Sequence, residues 1–287
     1  MMRNSPTSAG AWPRVVRQPW GAWGLRGVAV TYLALMVVAP LAAVARSGLS
    51  GGLTGLWDDL HRFGALGALG LTLWTAAVMT LINIVMGTLT AYVLVRYKFP
   101  GKALLNAVID LPIAIPTLVT GLMIVILLGP QESLGGWLKG HGIEIVFAWP
   151  GIILALLFIT FPLVVRAVQP VLEELEIEQE EAAYVLGASQ WQTFRRVVLP
   201  ALSPSVLSGA LLTFARALGE FGSIVVVAGN IPGKSLTAPV HIFGEIEGGF
   251  NRSASAMSLV LLAISFTLIM LVDWLQRRRA AREESDV

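Results

Sequence analysis

Six long stretches of the sequence contain few or no charged residues, and each is long enough to cross a membrane. A membrane-spanning helix needs about 20 mostly apolar residues. Helices buried in a soluble protein would carry polar faces at helical spacing, which the stretches 206–212 and 259–271 lack. The pattern therefore predicts an all-α, polytopic membrane protein with six transmembrane helices. The predicted spans cover residues 27–45, 71–95, 111–130, 147–165, 206–228 and 254–274.

These spans divide the chain into a segment at residues 1–26, a transmembrane domain at residues 27–276 and a tail at residues 277–287. The first span has a second interpretation, a cleaved signal peptide, because the small residues Ala43-Val44-Ala45 precede Arg46. A retained span is favoured, since the segment before it is long for the charged region of a signal peptide.

The composition agrees with a membrane protein. Of the 287 residues, 55% are hydrophobic and 13% are charged, against about 25% charged in an ordinary soluble domain. This balance excludes a disordered chain, which needs low hydrophobicity and high net charge. The absence of cysteine excludes disulfides and thiolate-ligated metal sites, and the three histidines are widely spaced.

Lysine and arginine are distributed unequally between the two sides of the predicted spans. Fourteen of the 20 lie on one side and five on the other, while Arg216 lies within a span. Because basic loops remain in the cytoplasm, both termini are predicted to be cytoplasmic. The basic cluster from Arg277 to Arg282 directly follows the last span, so it is interpreted as a membrane anchor, and no nucleic-acid partner is expected.

The longest loop on the predicted cytoplasmic side covers residues 166–203 and has a helical pattern. Residues 171–186 predict one short helix, which Gly187 would end because glycine adopts the left-handed conformation at little cost. Ser189 and Gln192 have the spacing of a capping box, which predicts the start of a second helix.

The second helix is expected to end near residue 198, because Pro200 limits its continuation. Together the two helices would form a hairpin on the cytoplasmic face. This loop does not fit a DNA-reading helix-turn-helix, because the many glutamates of the loop would repel the phosphates of DNA. Its shape alone leaves two interpretations open: a passive surface element, or an element that docks into a groove on a partner.

The loop contains Glu181-Ala182-Ala183, then Gly187 after three residues, Val197 after nine more, and Leu199-Pro200 after one more. This spacing resembles the EAA loop of ABC importer permeases, whose pattern is EAA-x3-G-x9-I-x-L-P. The only departure is Val197 in place of isoleucine, which keeps a β-branched apolar side chain. The resemblance implies that this loop is the coupling helix that docks on an ATP-binding subunit. The residues assigned to it are Glu180, Glu181, Ala182, Ala183, Gly187, Leu199 and Pro200.

Further segments resemble the membrane subunits of bacterial sulfate/thiosulfate importers. The segments at Asp110 and Gln169 are similar to the T-type subunit, and the outer loop at residues 134–138 is similar to its W-type companion. The other matching segments are Phe161-Pro162-Leu163-Val164-Val165-Arg166 and Ala217-Leu218-Gly219-Glu220-Phe221-Gly222.

This resemblance implies the type I ABC importer permease architecture in the inner membrane of a bacterium. It also implies three protein partners: a homologous W-type permease, a dimer of cytoplasmic ATP-binding subunits, and a periplasmic or surface-tethered sulfate-binding protein. ATP and Mg²⁺ would bind to the ATPase, so this chain is expected to hold no cofactor and to be no enzyme. The alternatives are a molybdate or tungstate permease of the same class and an ion-coupled secondary transporter.

Two charged residues lie near the middle of the predicted fifth span. Arg216 and Glu220 are four residues apart and therefore share a helix face. Either they neutralise each other, or they line the translocation pathway, where Arg216 would attract an oxyanion. Asp110 is interpreted as a helix cap. The segment 229–235 looks like a phosphate-binding loop, but its glycines have the wrong spacing.

Overall fold

The computed structural model describes residues 19–62 and 64–283, and every regular element in this part of the chain is helical. Residues 1–18, most of the predicted N-terminal segment, lie outside the described residues, as do Phe63 and residues 284–287 of the predicted tail. The chain divides after Arg46 into two compact units, residues 1–46 and 47–287.

The first unit holds helix α1 (Pro19–Leu33) and most of α2 (Ala39–Gly48), joined through the π-helical segment Ala34–Val38. The predicted span at residues 27–45 therefore lies inside a longer helix. In the described residues this helix already runs from Pro19, inside the predicted N-terminal segment, and Pro40 does not interrupt it. The side chains described in α1 are exposed and mostly apolar, which suits contact with lipid.

The second unit is built around three long helices that pack side by side. They are α4 (Ala65–Arg96), α8 (Trp149–Glu174) and α11 (Leu199–Leu218). Their inward faces form two apolar clusters, one around Met79 and Leu156 and one around Leu94 and Val164. The helices of this unit are α3 (Gly52–His61), α4 (Ala65–Arg96), α5 (Lys102–Ala114), α6 (Thr117–Leu128), α7 (Ser133–Gly140), α8 (Trp149–Glu174), α9 (Ile177–Val185), α10 (Gln190–Thr193), α11 (Leu199–Leu218), α12 (Gly222–Val227), α13 (Ala238–Glu247) and α14 (Asn251–Glu283).

Five helices in the described part of the chain are long and apolar enough to cross a membrane, and the bent pair α5–α6 makes a sixth. The predicted all-α, polytopic class is confirmed. The second, fourth and sixth predicted spans lie mainly within α4, α8 and α14, each of which is longer than predicted. Since α14 extends to Glu283, the predicted tail at residues 277–287 begins within this helix.

The third predicted span, residues 111–130, is not a single helix. It is bent by 109° between α5 and α6. The bend follows from Pro116, which has no N–H to donate and disfavours the helical conformation of the residue before it. Ile115 accordingly has an extended backbone, with φ −80° and ψ 128°.

The fifth predicted span, residues 206–228, is also interrupted. Helix α11 ends at Leu218, and α12 begins at Gly222. The backbone N–H of Ser223 donates a 3.0 Å hydrogen bond to the Glu220 carboxylate, so that carboxylate starts the second helix. Arg216 and Glu220 therefore lie beside a break rather than in the middle of a continuous helix.

The predicted cytoplasmic loop at residues 166–203 is shorter than expected. Helix α8 continues to Glu174, and the helix predicted at residues 171–186 is interrupted before α9 begins at Ile177. Pro200 does not end the second helix, because the helix continues through it into α11. The π-helical segment Phe194–Val198 joins α10 directly to α11.

Candidate functional site

The EAA-like residues occupy a hairpin formed by residues 176–198, called the hairpin below. Glu181, Ala182 and Ala183 lie on α9, and Gly187 lies in the turn after it. Leu199 and Pro200 lie beyond the hairpin, at the start of α11, and both are exposed. The first part of the motif therefore lies on the first arm and in the turn of the hairpin, while its last two residues are the first two of α11.

Two backbone hydrogen bonds form a Schellman motif at the end of α9. The N–H of Ala188 donates to the carbonyl of Ala183 at 3.0 Å, and the N–H of Gly187 donates to the carbonyl of Tyr184 at 2.9 Å. Gly187 has φ +86°, which glycine adopts without the steric cost that a Cβ imposes. The predicted helix end at Gly187 is confirmed.

A capping box starts the second arm of the hairpin, as the sequence predicts. The backbone N–H of Gln192 donates to Ser189 Oγ at 3.3 Å, and the N–H of Ser189 donates to Gln192 Oε1 at 2.8 Å. These bonds satisfy two donors that a helix N-terminus otherwise leaves without partners. The turn between the two arms is therefore defined on both sides by bonds between neighbouring residues.

The tip of the hairpin exposes apolar surface. Val185 and Leu186 are each 87% exposed, and Trp191 at the start of the second arm is 65% exposed. A cavity of about 320 Å³ lies beside the tip, between the end of α9 and the second arm, and its lining includes Leu186 and Arg196. Exposed apolar side chains beside a concavity are typical of a docking surface.

The two adjacent glutamates of the hairpin have opposite environments. Glu181 is exposed, whereas Glu180 is 4% exposed and faces the end of α4. Glu180 Oε1 accepts a 2.7 Å hydrogen bond from Arg96 Nε, and Oε2 accepts a 3.3 Å bond from the Tyr92 hydroxyl. Glu180, one of the residues assigned to the coupling loop, therefore lies on that hairpin but points toward α4, whereas Glu181 is exposed.

Arg216 and Glu220, the two charged residues predicted within the fifth span, meet at the break between α11 and α12. Arg216 Nη1 lies 2.7 Å from Glu220 Oε2, and Glu220 Oε1 accepts hydrogen bonds from the backbone N–H and the hydroxyl of Ser223. The Glu220 side chain is 2% exposed, whereas that of Arg216 is 41% exposed. The carboxylate is thus fully engaged, and the guanidinium keeps an accessible face that could meet an anion.

Comparison with known proteins identifies the family. A model of the binding-protein-dependent transport system inner membrane component matches residues 83–283. The chain belongs to this family. The sulfate transport system permease protein CysT of Synechocystis sp. is 43% identical over 258 residues, which cover 89% of this chain and 90% of that protein.

Two relatives from Escherichia coli (strain K12) are similarly close. The sulfate transport system permease protein CysT is 40% identical and covers 89% of this chain and 92% of its own length. The companion protein CysW is 37% identical and covers 92% of this chain and 93% of its own length. Membership in an ABC permease family removes the alternative of an ion-coupled secondary transporter.

The fold has a close structural counterpart. A subunit of a bacterial alginate ABC transporter, solved in complex with an alginate-bound periplasmic protein, superposes with a TM-score of 0.75. It covers 90% of this chain and 94% of its own length, at 15% sequence identity. The permease therefore has the predicted type I importer architecture, and at this identity the likeness concerns the fold alone.

One polar network of the permease was not predicted. Arg166 of α8 forms a two-pronged ion pair with Asp110 of α5, at 2.8 and 2.7 Å, and also binds the side chains of Asn106 and Gln169. Asp110 lies inside α5 and is not a helix cap, which corrects the sequence interpretation. Both residues lie in segments that resemble sulfate permeases, but the sequence alone does not show that α5 and α8 pack against each other.

The loop that looks like a phosphate-binding loop has a different structure. Lys234 Nζ lies 2.7 Å from Glu144 Oε2 and lowers the pKa of that carboxyl by hydrogen bonding and by its charge. The Ser235 hydroxyl donates to the carbonyl of Ala228. The lysine therefore joins the loop at residues 229–235 to the segment before α8. In the part of the chain that is described, no three histidine, aspartate or glutamate side chains are grouped to hold a metal ion.

Proposed function

We propose that this chain is one of two membrane-spanning permease subunits in an ATP-driven importer of sulfate or thiosulfate. The observation that carries the proposal is its identity of 37–43% with CysT and CysW proteins along most of its length. Because these relatives are named for sulfate, they favour sulfate over the alternative of molybdate or tungstate. The permease lies in the bacterial inner membrane with both termini in the cytoplasm.

The hairpin supplies the contact through which ATP hydrolysis drives transport. An ATP-binding subunit, which holds ATP and Mg²⁺, docks against the exposed side of α9 at Glu181 and Ala182 and against the apolar tip at Val185 and Leu186. This assignment is supported by the exposure of these residues and by the fixed turn at Gly187. A second hairpin, on a W-type permease, receives the other ATP-binding subunit. The chain itself holds no cofactor.

The break between α11 and α12 supplies the positive charge that an anion meets on its way through. A sulfate-binding protein delivers the anion to the outer face, and Arg216 then presents its accessible guanidinium, a fork of donors suited to a tetrahedral oxyanion. Glu220 neutralises part of that charge, so the dianion is attracted without being trapped. The 2.7 Å distance between the two groups supports this balance.

Deleting the gene in its own host tests the cargo. We expect sulfate uptake to fall to background and to return when the unchanged gene is restored on a plasmid, while molybdate uptake stays the same. Sulfate uptake that survives the deletion together with lost molybdate uptake would replace the proposal by its alternative. A plasmid carrying Gly70→Ala, a change at an exposed glycine with open space around it, serves as the matched control.

Reporter fusions test the orientation. A reporter that is active only in the periplasm should be silent after Val287 and after Lys102, and active near Lys139, because basic residues concentrate on the predicted cytoplasmic side. Activity after Val287 would show that the number of spans is odd.

A further inference from the structure

The inner end of α4 is tied to the hairpin by one buried arginine. Arg96 is the last residue of α4, and its Nε donates to Glu180 Oε1 at 2.7 Å. Its Nη2 donates to the backbone carbonyl of Leu175, at the end of α8, at 3.0 Å. A single side chain therefore holds together the end of α4, the end of α8 and the first arm of the hairpin.

The Arg96–Glu180 pair differs from the other charges on that arm. The two side chains are 11% and 6% exposed, whereas Glu176, Glu178 and Glu181 are exposed and form no ion pair within the described part of the chain. Removing one partner of a buried pair leaves the other charge uncompensated, so such a pair resists separation. The cation also faces the carbonyl end of α8, where positive charge is favourable.

Neighbouring groups reinforce the tie on the α4 side. The Tyr92 hydroxyl, one helical turn before Arg96, donates to the second oxygen of Glu180. The Tyr92 ring packs edge-on against Phe194 of the second arm, with ring centroids 5.5 Å apart. Both arms of the hairpin thus contact the last turn of α4.

This link leads into the core of the permease. Earlier in α4, toward its middle, the Asn83 side chain donates a 2.8 Å hydrogen bond to the Thr160 hydroxyl of α8. Both side chains are buried, so α4 and α8 are joined by polar contacts in the core as well as at their inner ends. A displacement of the hairpin must move these two helices or separate Arg96 from Glu180.

We propose that Arg96 and Glu180 are positioning residues that transmit movement of the hairpin to the inner ends of α4 and α8. The inference deepens the proposed function, because it assumes that an ATP-binding subunit moves the hairpin. It separates the two adjacent glutamates by role: Glu181 faces the partner, and Glu180 carries the movement inward.

The test uses the complete importer, reconstituted in vesicles with its ATP-binding subunit, second permease and binding protein. In Arg96→Gln and in Glu180→Gln, the ATPase should still assemble and hydrolyse ATP without substrate. Sulfate uptake per ATP should fall roughly tenfold, a size typical of a coupling free energy between sites. The conservative Arg96→Lys keeps the positive charge at the carbonyl end of α8 and should retain most of the unmodified uptake per ATP.

Matched controls remove a nearby exposed charge. Lys98 lies two residues from Arg96, and Glu174 lies at the end of α8. The variants Lys98→Gln and Glu174→Gln should both keep the uptake per ATP of the unmodified importer. Unchanged uptake per ATP in Arg96→Gln and Glu180→Gln would overturn the proposal. So would a loss of assembly in both single variants and in the conservative Arg96→Lys, since the pair would then be purely structural.

A distance measurement makes the test independent of the cargo. The sequence contains no cysteine, so spin labels can be placed at Gln179→Cys on α9 and Val93→Cys on α4 without other changes. ATP binding should leave the distance between them unchanged in the otherwise unmodified importer and should change it in Arg96→Gln.

If ATP binding changed the label distance by the same amount with and without Arg96→Gln, the link would be contradicted and the proposed cargo would stand. Conversely, absent sulfate uptake by the unmodified importer, together with the expected label distances, would contradict the cargo and leave the link standing.

Discussion

The hairpin and the two helix breaks are both departures from straight membrane helices, but different interactions shape them. The hairpin is defined by hydrogen bonds between neighbours in sequence, in the Schellman motif at Gly187 and the capping box at Ser189. The breaks begin at local features, Pro116 and the Glu220 carboxylate, but they are also held by contacts between distant parts of the chain. A Cβ on Gly121 would lie 2.6 Å from the carbonyl oxygen of Ser223, and a Cβ on Gly222 would collide with Thr117.

These glycine contacts bring the backbones of α6 and α12 together beside the points where both predicted spans are interrupted. Side chains with a Cβ at these positions would force the two short helices apart. The comparison teaches that the turn of the hairpin, at Gly187 and Ser189, can be altered without disturbing the membrane core, whereas a change at either break also affects the contact between α6 and α12. The predictions below measure that difference, beginning with the largest effect.

The largest effect is expected at the break between α11 and α12. Arg216→Ala leaves the buried Glu220 carboxylate without its cationic partner. Removing one partner of a fully buried pair costs about 3–5 kcal/mol, and we expect the low end of that range here because the Arg216 side chain is 41% exposed. The assembled amount of permease and the uptake per assembled complex should both fall. Assembly is measured by the amount of purified complex, and uptake with labelled sulfate.

The double variant Arg216→Ala with Glu220→Ala separates structure from transport at the same break. It removes both charges, so assembly should recover, while uptake per complex stays low because the positive potential is missing. Uptake per complex at the unmodified level would show that the pair only stabilises the break. Unrecovered assembly would show that the bonds from Glu220 to Ser223 matter more than the ion pair.

The second effect concerns the contact between α6 and α12. Gly121→Ala introduces a Cβ against the Ser223 backbone, and we expect overpacking to cost about 2 kcal/mol. The midpoint of thermal unfolding in detergent should fall. Gly70→Ala on α4, where a Cβ meets open space, should leave it unchanged or raise it slightly. Equal midpoints for the two variants would mean that α6 and α12 separate at little cost.

The same contrast explains how much the sequence could predict. The end of α9 and the start of α10 follow from Gly187 and from Ser189 with Gln192, because the bonding partners lie within a few residues of each other. The class of fold follows from the uncharged stretches, because a membrane leaves few alternatives to a helix.

The breaks could be predicted less well. Pro116 gave a local signal for the bend after α5, but Pro112, Pro162 and Pro170 lie inside helices, so a proline alone does not decide where a span breaks. The end of α11 depends on Glu220 and on packing against α6, which no local pattern reports. The pairings of Arg96 with Glu180 and of Arg166 with Asp110 join residues on different helices and required the structure.

A smaller effect is expected in the turn of the hairpin. Gly187→Val forces a side chain with a branched Cβ into a left-handed conformation, at a cost of about 1–2 kcal/mol. The hairpin should lose its orientation, so uptake should be abolished while the amount of permease in the membrane stays the same. Gly187→Asn, which tolerates this conformation better, should keep more activity. Normal uptake by Gly187→Val would contradict a docking role for the hairpin.

The smallest effect is expected from the capping box, and it tests whether the hairpin is determined locally. Ser189→Ala removes the oxygen that accepts the Gln192 N–H, which costs about 1 kcal/mol. Since the lost bond joins residues of the same turn, hydrogen exchange should accelerate at residues 190–193 and remain unchanged in α6 and α12. Ser189→Asp, which restores an acceptor at this position, should exchange like the unmodified protein. If Ser189→Ala lowered the unfolding midpoint as much as Gly121→Ala, the hairpin would be part of the membrane core's cooperative unit, and the distinction between the two regions would fail.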